Sequence, residues 1–120
     1  MVHQQDDRIT LYNQRNKLVR SLDDMELDIC KWGLEKGILP NPDPFAQFVK
    51  TQEEVDELKE AIVLNDIDEI KDAIGDIFVT LVMQCEAWDL TMHECVDAAY
   101  KVISKRTGKM VNGVFVKDAD

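Results

Sequence analysis

The side chains with the strongest claim on chemistry in this sequence are carboxylates. Glu53, Glu54, Asp56, Glu57 and Glu60 crowd into QEEVDELKEAI, residues 52–62. A second group, Glu69, Asp72 and Asp76, follows in EIKDAIGD at i, i+3, i+7 spacing. At about 100° per residue, Lys50, Glu53, Glu54, Glu57 and Ala61 share one side of a helix. Phe48, Val55, Leu58 and Ile62 form the adjoining apolar stripe. That phasing puts Glu54 and Glu57 at the edge of a core, one turn apart, while Asp56 and Glu60 lean toward solvent. Glu69, Asp72 and Asp76 span roughly 60° of arc, with Ile70, Ile74, Ile77, Phe78 and Leu81 beside them. Asp76 stands immediately before the apolar run IFVTLVMQC. A half-buried carboxylate there is costly without a partner. Gly75, in the helix interior, costs about 1 kcal/mol relative to alanine, which predicts a close helix contact.

Two antiparallel helices carrying such residues can bring four or five carboxylates to one place. They repel one another unless a divalent cation neutralises them. Oxygen donors with no nearby histidine suit magnesium or manganese rather than zinc. The competing reading is a solvated helix face, because 24 of the 120 residues are acidic.

The elements that must position these residues are almost all helical. A helical pattern over about residues 6–36 ends at Gly37; Ser21 with Asp23 and Asp24 offers a cap for a second segment there, so the stretch reads as one helix or two. ILPNPDPF, with three prolines, is the clearest loop. Asp43 and Pro44 cap and start the next helix, at about 44–64. Asn65 and Asp66 separate it from a helix at about 67–88, which Asp89 ends. Thr91 with Glu94 forms a capping box for a helix at about 92–106, closed by Gly108. KMVNGVFVKDAD, with Asn112-Gly113 between alternating apolar residues, reads as a short hairpin or extended arm. The fold class is all-α: a four- to five-helix up-down bundle in a single domain spanning residues 1–120, with a core at about 25–106 and a C-terminal arm at 107–120.

Composition narrows the partners. The net charge of -10, from 24 acids against 14 bases, argues against nucleic acid as a partner. Three scattered cysteines, Cys30, Cys85 and Cys95, form no CxxC pair and no disulfide framework. The N-terminus lacks signal-peptide character, no run is long enough for a membrane span, and a reducing cytoplasm is expected. HECVD, residues 93–97, is not HExxH, since Asp97 replaces the second histidine. Neither His3 nor His93 has a glutamate three positions earlier, so the ExxH pairs of di-iron bundles are absent. NDIDEIKDAIGD lacks the EF-hand glycine.

The two acidic motifs together resemble the MazG-like, all-α nucleotide pyrophosphohydrolases, whose signature is EExxE, a spacer, then ExxD. Glu53-Glu54-Val55-Asp56-Glu57 matches the first half, and Glu69-Ile70-Lys71-Asp72, followed by Asp76, the second. KWGLEKGIL, QFVKTQEEVDELKEAI and RTGKMVNGVFVK are similar to segments of smaller bacterial and phage members, so the resemblance covers roughly residues 25–118. The departure is Ala73, where many members carry a glutamate three residues before the final aspartate. Glu69, Asp72 and Asp76 therefore all stay candidates for the second half of the ligand set.

The resemblance implies hydrolysis of a nucleoside triphosphate between the α and β phosphates. It implies Mg²⁺, with Mn²⁺ as the alternative, held by Glu54, Glu57 and the acids of the next helix. Glu53 is then the candidate for orienting or deprotonating the attacking water, or else an outer or solvated residue. Lys50, Lys105, Arg106, Lys109 and Lys117 are candidates for the phosphates, although those near residue 106 also suit a helix C-terminus. Trp32 and Gln47 are candidates for the base, or else core and surface residues. The resemblance also implies a homodimer or homotetramer of helical hairpins, with the apolar helix at about 77–88 as an interface. The alternative is a non-catalytic, acidic helical interaction or regulatory protein of the same fold.

Overall fold

A computed structural model describes residues 10–11 and 20–119. It contains four helices and a hairpin: α1 Leu22–Glu35, α2 Pro44–Val63, α3 Ile67–Ala87, α4 Met92–Ile103, β1 Gly108–Val111 and β2 Val114–Lys117. His3 and most of the expected helical stretch before Ser21 lie outside the described residues.

Local chemistry accounts for the boundaries. Ser21 accepts from the Asp24 N–H at 3.1 Å, and Asp43 from those of Phe45 at 2.9 Å and Ala46 at 3.2 Å. Asp66 accepts from the Glu69 N–H at 3.1 Å. Thr91 and Glu94 exchange hydrogen bonds in a complete capping box. At the other ends, Asn65 and Asp89 take positive φ values of 54° and 56°, and Gly37 takes 80°. α4 stops at Ile103, earlier than the expected 106, with Ser104 as C-cap. Gly108 belongs to β1, where a Cβ would lie 2.2 Å from the Val116 carbonyl oxygen. It serves the hairpin, not the helix end. β1 and β2 pair antiparallel, with Val111 opposite Val114. Asn112 (φ 49°) and Gly113 (φ 85°) make a two-residue turn with both φ positive, which matches strand twist.

α2 and α3 form an antiparallel helical hairpin, and α3 is central because it also touches α1 and α4. The core is small. Leu39, Val82 and Met83 are buried, with Ile29, Cys30, Ile38, Phe78 and Met92 packed around them. Gly33 provides the close approach between α1 and α3, since a Cβ there would sit 3.0 Å from the Met83 side chain. The sequence pattern assigned that role to Gly75, but a Cβ at Gly75 would meet nothing within 4 Å. The buried face of α2 also differs from expectation. Glu54 and Ala61 are buried and Thr51 and Leu58 half-buried, while Phe48, Val55 and Ile62 face solvent. Small residues win the helix contact because Ala61 and Ala73, each at most 5% exposed, let the two helices approach closely. No helix among the described residues is long and apolar enough to cross a membrane.

Candidate metal centre

The α2–α3 hairpin has a register that two hydrogen bonds define. Thr51 Oγ1 donates to Thr80 Oγ1 at 2.8 Å, and Gln84 Nε2 donates to the Pro44 carbonyl at 2.9 Å. Counting antiparallel from these pairs sets Asp76 across from Glu54. Carboxylate oxygens of Glu54, Glu57 and Asp76 then lie within 4.8 Å of one another. Glu69 is outside this group. It stands seven residues before Asp76, about 10 Å along the axis, next to the turn. Asp72 is one turn from Asp76 and interacts with it by hydrogen bonding and charge. Glu57 is exposed and Asp76 half-buried, so the group opens to solvent on one side.

Glu54 is the unusual member. It is 6% exposed, inside the helix pair and not at its edge. Its Oε2 is buried without a hydrogen-bond partner. Its Oε1 lies 3.4 Å from Lys50 Nζ, and Lys50 also reaches Glu53 at 3.4 Å. Burial, followed by Glu57, raises the Glu54 pKa, and Lys50 opposes the shift. Burial, followed by the charges of Asp72 and Glu54, raises Asp76. Hydrogen bonds to Glu53 and Glu54 raise Lys50. These shifts share one cause: too much negative charge meets in too little water, with one lysine to offset it.

The donor set fits a hard divalent cation. It offers carboxylate oxygens on two rigid helices and one desolvated oxygen that a cation would satisfy. Ala73 sits beside the group, 3% exposed, where the two backbones pack. A longer side chain at 73 would have to displace that contact or turn toward the carboxylates.

The remaining sequence candidates separate. Lys50 and Glu53 stand at the rim of the cluster. Gln47 is half-buried one turn before Thr51, whose hydroxyl oxygen lies 3.0 Å from its carbonyl. Trp32 is 42% exposed on α1 and is not part of the core. Lys105, Arg106 and Lys117 line a separate surface recess with Thr107 and Asp118. Lys109 is in β1, and among the described elements the hairpin contacts neither α2 nor α3. Within one chain these bases do not join the carboxylates. What the sequence reading passed over is Leu22, Met25 and Ile29 of α1, which line a recess with Asp72 and Asp76. Their i, i+3, i+7 spacing was the available signal.

Comparison with known proteins agrees with this geometry. The family model of the MazG nucleotide pyrophosphohydrolase domain matches residues 47–111, which contain the acidic segments of both helices. A relative from Haemophilus phage HP1 (strain HP1c1), described as an uncharacterized 18.2 kDa protein in the rep-hol intergenic region, is 38% identical over 56 residues. That match covers 47% of this chain and 34% of the phage protein, about a third of its length. No solved structure gives a significant match.

Proposed function

Since this chain belongs to the MazG nucleotide pyrophosphohydrolase family, we propose that it hydrolyses nucleoside triphosphates to the monophosphate and pyrophosphate. The proposed cofactor is Mg²⁺, or Mn²⁺ in its place, held by Glu54, Glu57 and Asp76 with Asp72 adjoining. The observation that carries this reading is the buried, unpartnered Oε2 of Glu54 among two further carboxylates. Such an atom is costly in a helix interface unless a ligand completes it.

When bound, the cation supplies charge neutralisation for the phosphates and lowers the pKa of a water. The side chains supply the rest. Lys50, half-exposed beside Glu53 and Glu54, is placed to meet a phosphate oxygen at the rim. Glu53 points outward from the same turn and takes the proton of the attacking water. The water oxygen bonds to the α phosphorus, the bond from that phosphorus to the α–β bridging oxygen breaks, and pyrophosphate leaves.

The reading includes a homo-oligomer. Phe48, Val55 and Ile62 on α2, Ile67, Ile74 and Leu81 on α3, and Trp88 at its C-cap are exposed at strict seven-residue spacing. That is the pattern of a helical seam awaiting a second pair of helices. A second copy is also the natural source of basic residues such as Lys105, Arg106 and Lys109 for a neighbouring site.

The direct test is pyrophosphate release from a panel of ribo- and deoxyribonucleoside triphosphates, with Mg²⁺ and with EDTA. Turnover that needs the cation and is lost in Glu54→Gln and Asp76→Asn is expected. No turnover of any nucleotide, together with unchanged Mn²⁺ binding in both variants, would leave the acidic scaffold reading in its place.

A further inference from the structure

Sulfur collects where α3 turns into α4. Cys85, in the last turn of α3, places its Sγ 3.9 Å from Cys95 Sγ and 3.5 Å from Met92 Sδ. Met92 and Cys95 are three residues apart in α4, so they share one face of its first turn. Cys85 is buried, and Cys95 and Met92 are half-buried. The backbone that carries them is fixed from three directions. The Trp88 and Leu90 N–H groups donate to the Cys85 carbonyl at 3.0 and 2.9 Å. The Thr91–Glu94 capping box holds the start of α4. Glu26 of α1 accepts the Met92 N–H at 2.7 Å.

We propose that Cys85, Cys95 and Met92 bind a soft monovalent metal ion, copper(I) by donor type, at a site separate from the carboxylate centre. The site stands independently of the nucleotide reading above. Cys85 comes nine residues after Asp76, about 14 Å further along α3.

Geometry and donor type select the ion. A metal–thiolate bond is about 2.3 Å long, so three sulfurs around one ion in a plane stand about 4 Å apart. The two separations from Cys85 already approach that value. Thiolate and thioether donors favour copper(I), whereas carboxylates hold the hard cations. The thioether also separates a metal site from a mere disulfide-forming pair, which has no use for Met92. Burial, followed by Cys95, pushes the Cys85 thiol up to about 12. It therefore stays a thiol and resists oxidation, because the thiolate is the reactive form. A bound ion takes the place of that proton. Cys30 stands outside the set, since its Sγ donates to Glu86 at 3.1 Å.

The test is titration of the full reduced chain, free of oxygen, with copper(I) bicinchoninate. The protein is expected to withdraw one equivalent of copper and to gain a thiolate-to-copper absorption band in the near ultraviolet. Cys85→Ser and Cys95→Ser should each weaken binding at least about tenfold, and Met92→Leu should weaken it less, while Cys30→Ser leaves it unchanged. Met92→Leu conserves volume, so it reads the site even if a serine variant misfolds. Copper-loaded protein should bind Mn²⁺ as the copper-free protein does. No withdrawal of copper by the wild type overturns the proposal, and so does wild-type affinity in either folded serine variant or in Met92→Leu. A Cys85–Cys95 disulfide, found by peptide mass mapping in place of a bound ion, overturns it in favour of a redox pair. Loss of Mn²⁺ binding on copper loading overturns the separation of the two sites.

Discussion

Replacing Glu54 by glutamine tests whether this carboxylate is reserved for a cation. In metal-free buffer the substitution removes a charge from a position 6% exposed, where one oxygen has no partner. An unsatisfied buried polar group costs about 1–3 kcal/mol, and more when charged. Repulsion adds to it: two charges within 4.8 Å of each other repel by about 3.5 kcal/mol or more at an effective dielectric of 20, before further screening at exposed Glu57. Loss of the Lys50 contact offsets little, because that lysine is half-exposed and keeps Glu53. The net expectation is a gain of about 1–3 kcal/mol, or roughly 3–12 °C in Tm for a chain of this size. Saturating Mg²⁺ cancels or reverses the difference. At a hundredfold excess over Kd it stabilises the wild type by about 2.7 kcal/mol and the variant scarcely at all. The assay is thermal unfolding of both proteins in EDTA and in Mg²⁺, followed by circular dichroism. A variant less stable than the wild type in EDTA, or equal Mg²⁺ stabilisation of both, would refute the reasoning and make Glu54 an ordinary structural partner of Lys50.

Three further outcomes are expected. The pKa values of Glu54 and Asp76 are raised above their ordinary 4.5 and 3.8, so the folded state holds these protons more tightly than the unfolded chain. The stability they contribute is present below those ordinary values and is lost as pH rises through the raised ones. In EDTA, the Tm advantage of a Glu54→Gln/Asp76→Asn double variant should therefore be small at about pH 4 and grow toward neutrality; a constant or shrinking gap across melts at several pH values contradicts this. Glu26, buried on α1, accepts the Met92 N–H at 2.7 Å and ties α1 to the first turn of α4. Glu26→Ala should cost about 1–3 kcal/mol, with Glu26→Gln milder because its amide oxygen still accepts; equal Tm values for the two would remove that role. Ile62→Glu with Ile67→Glu places charge on the exposed seam, and light scattering should show a lower assembly mass, with no change counting against the seam.

The helix starts were legible in the sequence because N-capping is local, whereas the end of α4 at Ile103, short of the expected 106, was not. Ser21, Asp43-Pro44, Asp66 and the Thr91–Glu94 box each satisfy N–H groups two or three residues away, whatever the tertiary fold does. The hairpin at Asn112-Gly113 was equally local, since both turn positions need positive φ. The two acidic clusters, and their suitability for a hard cation, also followed from residue type and helical period alone. What the tertiary structure decided is which carboxylates meet. The α2–α3 register set Asp76 and not Glu69 across from Glu54, and a helix pattern carries no register. It also decided which face of α2 is covered. Phe48, Val55 and Ile62 look more like a core than Thr51, Glu54 and Ala61 do, yet the small residues take the contact because they let the backbones close. Gly33, to which no role was assigned, makes the close contact expected of Gly75 for a similar reason: the space beside a glycine belongs to whatever packs against it, and that is a property of the neighbours, not of the helix that carries it.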